Sequence, residues 1–178
     1  MGPTLILAIG NAGGNIVKAI GQETKLSELK NVWYVFADCN EDDLRKHEAT
    51  GVNTVLFESG SDSFPEDIFR DVKKLIIVVG LGGRTGTEFI EPAAIAAKDA
   101  GIDDIKVVAT TPFVFEGDQR LQSAVSAVHR LSSIDGLNVK VFSNEELTKK
   151  HPDLNLFNAF ETADKEIGNI ISKLIWSN

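Results

Sequence analysis

A chain of 178 residues, 43% of them hydrophobic, can bury one substantial core but leaves no room beside it for a second domain of usual size. A net charge of -8, with 25% charged residues, is unsuited to coating a phosphate backbone or an anionic lipid surface, which sets broad nucleic-acid binding aside. The single cysteine, Cys39, cannot close an intramolecular disulfide, and no paired Cys/His spacing offers a zinc site, so a reducing, cytoplasmic setting is expected.

The first apolar run, residues 5–9, is too short for a membrane span and has neither a basic leader nor a cleavage pattern; it reads as a buried strand. Gly10-Asn11-Ala12-Gly13-Gly14-Asn15 follows and opens a helix expected over 15–23. A strand is predicted over 32–37, with Asp38 just past it, then a helix over 41–48 and a short strand over 54–57. After a loop at 59–62, the pattern predicts a helix over 65–72, a strand over 75–79, a glycine-rich turn over 80–87 and a helix over 88–100. A strand over 106–111, a helix over 116–133, a strand over 139–143 and a last helix over 156–176 complete the chain. Strand and helix alternate throughout, which is the signature of a parallel α/β sheet with helices on both faces. In such a sheet the ligand crevice lies beyond the carboxyl ends of the strands, and the unusual residues fall there.

Glycines after the first strand let backbone N–H groups turn towards an anion, and a helix N-terminus behind them favours phosphate; a tight turn with Asn15 as N-cap explains this one cluster equally well. The second cluster, Gly80-Leu81-Gly82-Gly83-Arg84-Thr85-Gly86-Thr87, holds more glycines than a turn needs, plus two threonines placed to bond phosphate oxygens. Two such turns at adjacent strand ends suggest one shared polyphosphate. Glu116 and Arg120 stand one helical turn apart, and spacing alone makes them an ion pair. On the last helix Leu156, Phe160, Ala163, Ile167, Ile170, Ile171 and Leu174 are expected to form one apolar stripe, with the carboxylate of Asp164 projecting beside Phe160 towards it.

Thr111-Pro112-Phe113-Val114-Phe115-Glu116-Gly117 resembles the Lys-Pro-Phe-x-Phe-Glu-Gly segment of FtsZ proteins, and residues 80–87 resemble the tubulin signature of the same family. Six segments agree in order: the first glycine loop before Asn15, Asp38, the loop at 80–87, the segment at 111–117, Asn144 after the sixth strand, and Ala159-Phe160 with Ala163-Asp164 opening the last helix. The chain is thereby identified as similar to the nucleotide-binding domain of the FtsZ/tubulin family. The resemblance implies a Rossmann-like three-layer α/β fold of the tubulin/FtsZ type around GTP or GDP, accompanied by Mg²⁺. It also implies roles: Gly10, Gly13, Gly14 and the loop Gly82, Gly83, Arg84, Thr85, Gly86 and Thr87 at the phosphates; Asn15 and Asn144 at guanine; Glu116 and Arg120 at the ribose. Phe160 would stack on the base, Asp164 would accept from the guanine N1 and N2 donors, and Asp38 would lie near Mg²⁺ or a phosphate water.

The sequence also departs from the family. The first glycine loop is shorter, Arg84 and Glu88 replace signature glycines, residues 58–65 carry no glycine-rich counterpart of the loop that senses the terminal phosphate, and the activating acidic loop and second domain of FtsZ are not found. Glu161, Thr162, Lys165, Glu166, Asn169, Ser172 and Lys173 make the outer face of the last helix polar, so one domain over residues 1–178 is expected. A guanine-nucleotide-binding protein with little or no intrinsic hydrolysis is expected. A GTPase completed in trans by a partner such as full-length FtsZ, and an interaction module with a vestigial nucleotide site, stand as alternatives; the expected partners are guanine nucleotide and either the chain itself or a full-length FtsZ protein. A dinucleotide-binding Rossmann enzyme fits less well, because the first loop offers Gly10-x-Ala12-x-x-Asn15 and Asp38 lies too far along for the ribose acid. His47, His129 and His151 are scattered and suggest no histidine-based centre.

Overall fold

The computed structural model describes residues 3–23, 31–48, 52–58, 60 and 64–176. Six strands, β1 (Thr4–Ile9), β2 (Val32–Asp38), β3 (Asn53–Leu56), β4 (Lys74–Gly80), β5 (Asp104–Thr111) and β6 (Leu137–Ser143), form one sheet in the order β3-β2-β1-β4-β5-β6. Every pairing is parallel. Interleaved are α1 (Gly10–Glu23), α2 (Glu41–Glu48), α3 (Arg84–Asp99), α4 (Asp118–Ser132), α5 (Asn144–Lys150) and α6 (Ala159–Trp176).

Alternation along the strands divides the core. Leu5, Leu7 and Ile9 of β1 join Leu75, Ile77 and Val79 of β4 in a cluster under α3 and α4, where Phe89, Ala93, Ala97, Ala127 and Leu131 pack. Ile6 and Ala8 point the other way, with Ile76 and Val78, into a cluster closed by Ile16 and Ile20 of α1 and by Ile167, Ile171 and Ile175 of α6. Both faces of the central strands are therefore dry, which explains why their sequences read as continuous apolar runs.

Several expected boundaries move. The helices α1 and α3 start at Gly10 and Arg84, so Gly10, Gly13, Gly14 and Gly86, expected in loops, lie in their N-terminal turns. The helix predicted over 65–72 is a single 3-10 turn, Glu66–Phe69. Glu116 ends another such turn, Val114–Glu116, and Gly117, at φ 101°, separates it from α4. The helix α5 has no counterpart among the sequence predictions. The last helix begins at Ala159, leaving Leu156 65% exposed, and Phe160 lies off the buried stripe, which runs through Ala159, Ala163, Ile167, Ile171 and Ile175. The loop at 59–62 lies largely outside the described residues.

Candidate functional site

The sheet order reverses at β1, whose neighbours are β2 on one side and β4 on the other. Residues Ile9 and Val79 pair at the ends of β1 and β4, so α1 and α3 leave the sheet side by side and point their N-termini at the same space. That topological switch point is where an open α/β sheet holds its ligand. A cleft of about 570 Å³ lies there, lined by all six regions singled out in the sequence.

The end of the cleft where phosphates are expected, here called the phosphate end, is built by close packing. Gly10 adopts φ 73°, and a Cβ on it would touch Gly86 N at 3.4 Å, so the first turns of α1 and α3 meet without side chains between them. Helix geometry leaves the first N–H groups of each helix without intrahelical partners, and Gly83, the N-cap of α3, supplies no side-chain acceptor. Anions are favoured at such a double N-terminus. Asp38 is buried, and its Oδ1 accepts from Asn40 N at 3.0 Å and from the Thr85 hydroxyl at 3.1 Å. The Thr85 hydroxyl also lies 3.3 Å from Cys39 Sγ, to which Arg84 Nη2 donates at 3.5 Å.

The opposite end, where the base is expected, is built by α5 and α6. Asn144 is the first residue of α5, 8% exposed, and its Oδ1 has no hydrogen-bond partner among the described residues. A buried amide oxygen left unpaired costs about 1–3 kcal/mol, which a ligand donor would recover. Phe160 is 47% exposed at the rim, held by edge contacts to Phe113 (5.4 Å) and Phe115 (5.9 Å), rings that stack on each other at 4.9 Å. Asp164 follows one turn later. It makes no hydrogen bond or ion pair with another described residue, and burial, with a smaller contribution from Glu161, pushes its carboxyl up to about 7. Between the two ends, Glu116 accepts from Arg120 Nη1 and from Phe113 N, each at 2.9 Å; the ion pair expected from spacing forms, inside the cleft wall.

Among the sequence-predicted residues, the structure brings Gly10, Asn15, Asp38, Gly83, Arg84, Thr85, Gly86, Glu116, Arg120, Asn144, Phe160 and Asp164 into this one cleft. It places Gly13, Gly14, Gly82 and Thr87 outside it. A Cβ on Gly13 would run into Val78 O of β4, and one on Gly14 would lie 2.7 Å from the His47 and Phe36 rings, so both glycines are packing residues under α1. Gly82 N donates to Thr87 Oγ1 at 2.9 Å, which spends both groups on shaping the loop. Sequence reasoning passed over Cys39, Asn40 and Asp43, which also line the cleft; their place just after β2 was the available signal.

A Mg²⁺ ion held by the protein would need oxygen ligands from the cleft wall. At the phosphate end its carboxylates are Asp38, already bonded as above, and Asp43, paired with Lys46 Nζ at 2.7 Å. Among the described residues no three His, Cys, Asp or Glu side chains are grouped to hold a metal ion. The residue set does not build a metal site of its own.

No model of a known protein family matches the chain. The cell division protein FtsZ of Buchnera aphidicola is 31% identical over 180 residues, covering 89% of this chain and 45% of that protein. The chain is a member of the FtsZ/tubulin family. A variant of FtsZ from M. jannaschii superposes with a TM-score of 0.82 at 22% identity, over 98% of this chain and 56% of that one. CetZ2 from Haloferax volcanii, solved as a GTPγS-bound protofilament, gives a TM-score of 0.70 at 17% identity, over 97% and 57%. These two likenesses show the fold. The chain spans about half the length of the FtsZ relatives it matches, and no helix among the described residues is long and apolar enough to cross a membrane.

Asp164, unpaired among the described residues, has a measurable consequence. Its folded-state pKa, about 7, lies above the ordinary 3.8, so the folded protein favours the protonated carboxyl. That contribution is fully present below pH 4 and is lost as pH rises through 7. Asp164→Asn, which mimics the neutral form, is expected to raise stability at pH 8 by about 2 kcal/mol, a value reduced from the full shift because the group is only part-buried, and to change little at pH 4. Thermal melts of both proteins at the two pH values check this; an equal difference at both excludes titration of Asp164 as the cause.

Proposed function

We propose that the chain binds a guanine nucleotide, GTP or GDP, in this cleft and by itself hydrolyses it little or not at all, in a role connected with FtsZ-type assembly. The observation that carries the reading is the pairing of a double helix N-terminus at one end of the cleft with a carboxylate and a buried amide oxygen that have no partner among the described residues, and an exposed aromatic ring, at the other. The first suits phosphates. The second suits a purine with two adjacent N–H donors. Glu116 and Arg120 stand between them, where a ribose would lie. The GTPγS-bound form of CetZ2 and the FtsZ relatives support the same ligand class.

Weak hydrolysis follows from the commitments of the carboxylates. Asp38 and Asp43 are the acids at the phosphate end, and both are already engaged, so neither is placed to orient a water. A partner that contributes an acid would complete the reaction in trans, a reading that the protofilament form of CetZ2 supports.

Calorimetric titration of GDP and GTP, followed by phosphate release at saturating GTP, tests the reading. Gly83 has ordinary backbone angles, φ -82° and ψ 166°, and open space around its would-be Cβ, yet it lines the cleft. Gly83→Val should therefore leave the melting temperature within about 1 °C while weakening GDP binding roughly tenfold or more, by crowding the phosphates. Heatless titrations with both nucleotides would sink the proposed function and leave the vestigial-site alternative. Phosphate release well above buffer would remove its non-hydrolysing half, and release that appears only with added full-length FtsZ would select the trans-completed GTPase.

A further inference from the structure

We propose that Arg84 supplies, from within the chain, the positive charge that a divalent cation would otherwise bring to the phosphates, so that the cleft holds guanine nucleotide without magnesium. The inference rests on the nucleotide reading above and adds to it. Its basis is where the side chain goes. Arg84 is the first residue of α3, rooted beyond the end of β4, and its Nη2 reaches Cys39 Sγ, just beyond the end of β2. Since β1 lies between β4 and β2 in the sheet, a side chain that joins their ends crosses the carboxyl end of β1. It lies over the switch point and over the two helix N-termini that frame the phosphate end.

The partner it finds there is a poor one. A thiol is a weak acceptor, and a guanidinium is shaped to grip two oxygens of a phosphate at once. Arg84 forms no ion pair with any described residue, in contrast to Arg120 and Arg130, which pair with Glu116 and Glu91. Its exchange from sulfur to phosphate oxygen therefore breaks no salt bridge. The carboxylates that would help carry a magnesium ion are committed elsewhere, Asp38 to Asn40 N and the Thr85 hydroxyl, and Asp43 to Lys46. Among the described residues, the cleft thus has one cation outside any ion pair, and no uncommitted set of acids, at the place where a nucleotide's charge must be balanced.

The test is a binding titration with a fluorescent GDP analogue, run in excess EDTA and again in millimolar magnesium, on the unmodified protein, Arg84→Ala and Arg84→Lys. The unmodified protein should change affinity by less than about threefold on chelation. Loss of a charge-assisted contact should weaken Arg84→Ala about tenfold or more in EDTA, with magnesium restoring much of it. Arg84→Lys should fall between. The side chain is exposed, so circular dichroism should be the same for all three. Loss of tenfold or more by the unmodified protein in EDTA would overturn the inference. So would an Arg84→Ala protein whose affinity is unchanged, or one weakened equally with and without magnesium. Absence of binding by the unmodified protein in both buffers would instead bring down the nucleotide reading, and this inference with it.

Discussion

Titrated at pH 8, the protein should bind GDP at least about a hundredfold more tightly than ADP, and Asp164→Ala should reduce that ratio to within about tenfold. An ionised carboxylate offers acceptors only. Guanine presents two adjacent donors, N1–H and the N2 amino group, whereas adenine presents the N1 lone pair in the same position, facing the carboxylate with no proton between them. Asp164 has no other hydrogen-bond partner among the described residues, so the mismatch cannot be relieved by trading partners. The preference should also depend on acidity. Because burial holds the carboxyl near 7 in the free protein, binding of GDP must first remove the proton, and GDP affinity should rise about tenfold from pH 6 to pH 8. A protonated carboxyl pairs a donor with an acceptor, which matches the N1 and N6 edge of adenine, so the GDP-to-ADP ratio should narrow as pH falls. Calorimetry with both nucleotides at pH 6, 7 and 8 measures all three effects. Equal affinities for GDP and ADP at pH 8 would remove Asp164 from base recognition, and a pH-independent ratio would show that the carboxyl does not titrate in this range.

The sheet was legible in the sequence because its central strands are buried on both faces: runs such as Leu75 to Val79 admit no amphipathic helix of ordinary length between their flanking polar residues. The crevice was legible because polar and glycine residues cluster just after strands. Less legible was which glycines line the cleft. Gly13 and Gly83 are equivalent as letters in a glycine cluster, and only the approach of α1 to β4 separates a packing glycine from a lining one. The 3-10 turn at Glu66–Phe69 was missed because Ile68, Phe69 and Val72 give helical spacing, although the segment spans a single turn. Phe160 was assigned to an apolar stripe by periodicity; a helix start at Ala159 instead turns it to the rim, where its aromatic neighbours come from the 113–115 segment, far away in sequence. The raised carboxyl of Asp164 follows from that same packing and has no local signature in the sequence.

Replacing either glycine at the meeting point of helices and β4 should damage the fold far more than any substitution in the open loop. Gly13 lies in the first turns of α1, where a methyl group would come closer than 3.0 Å to the Val78 carbonyl oxygen and lie 3.2 Å from its carbon. Both atoms belong to the backbone of a central strand hydrogen-bonded on both sides, so neither can move alone. Gly86 is in the same position on α3, against the Gly80 carbonyl and 2.9 Å from the Val79 side chain. To admit Cβ, the helix itself must lift from the sheet, opening gaps beneath Ile16 or Phe89, residues that are 1% and 0% exposed. Overpacking against rigid backbone combined with such gaps is expected to cost about 3 kcal/mol for Gly13→Ala or Gly86→Ala, despite the better helix propensity of alanine. For a domain of this size that corresponds to a fall in melting temperature of about 6–12 °C. Gly83→Ala, with nothing within 4 Å of its would-be Cβ, is the control and should melt within about 1 °C of the unmodified protein. Denaturant and thermal melts of the three variants without nucleotide separate packing from binding. If Gly13→Ala and Gly86→Ala melt together with Gly83→Ala, the close approach of α1 and α3 to β4 is wrong, and the narrow double N-terminus at the phosphate end goes with it.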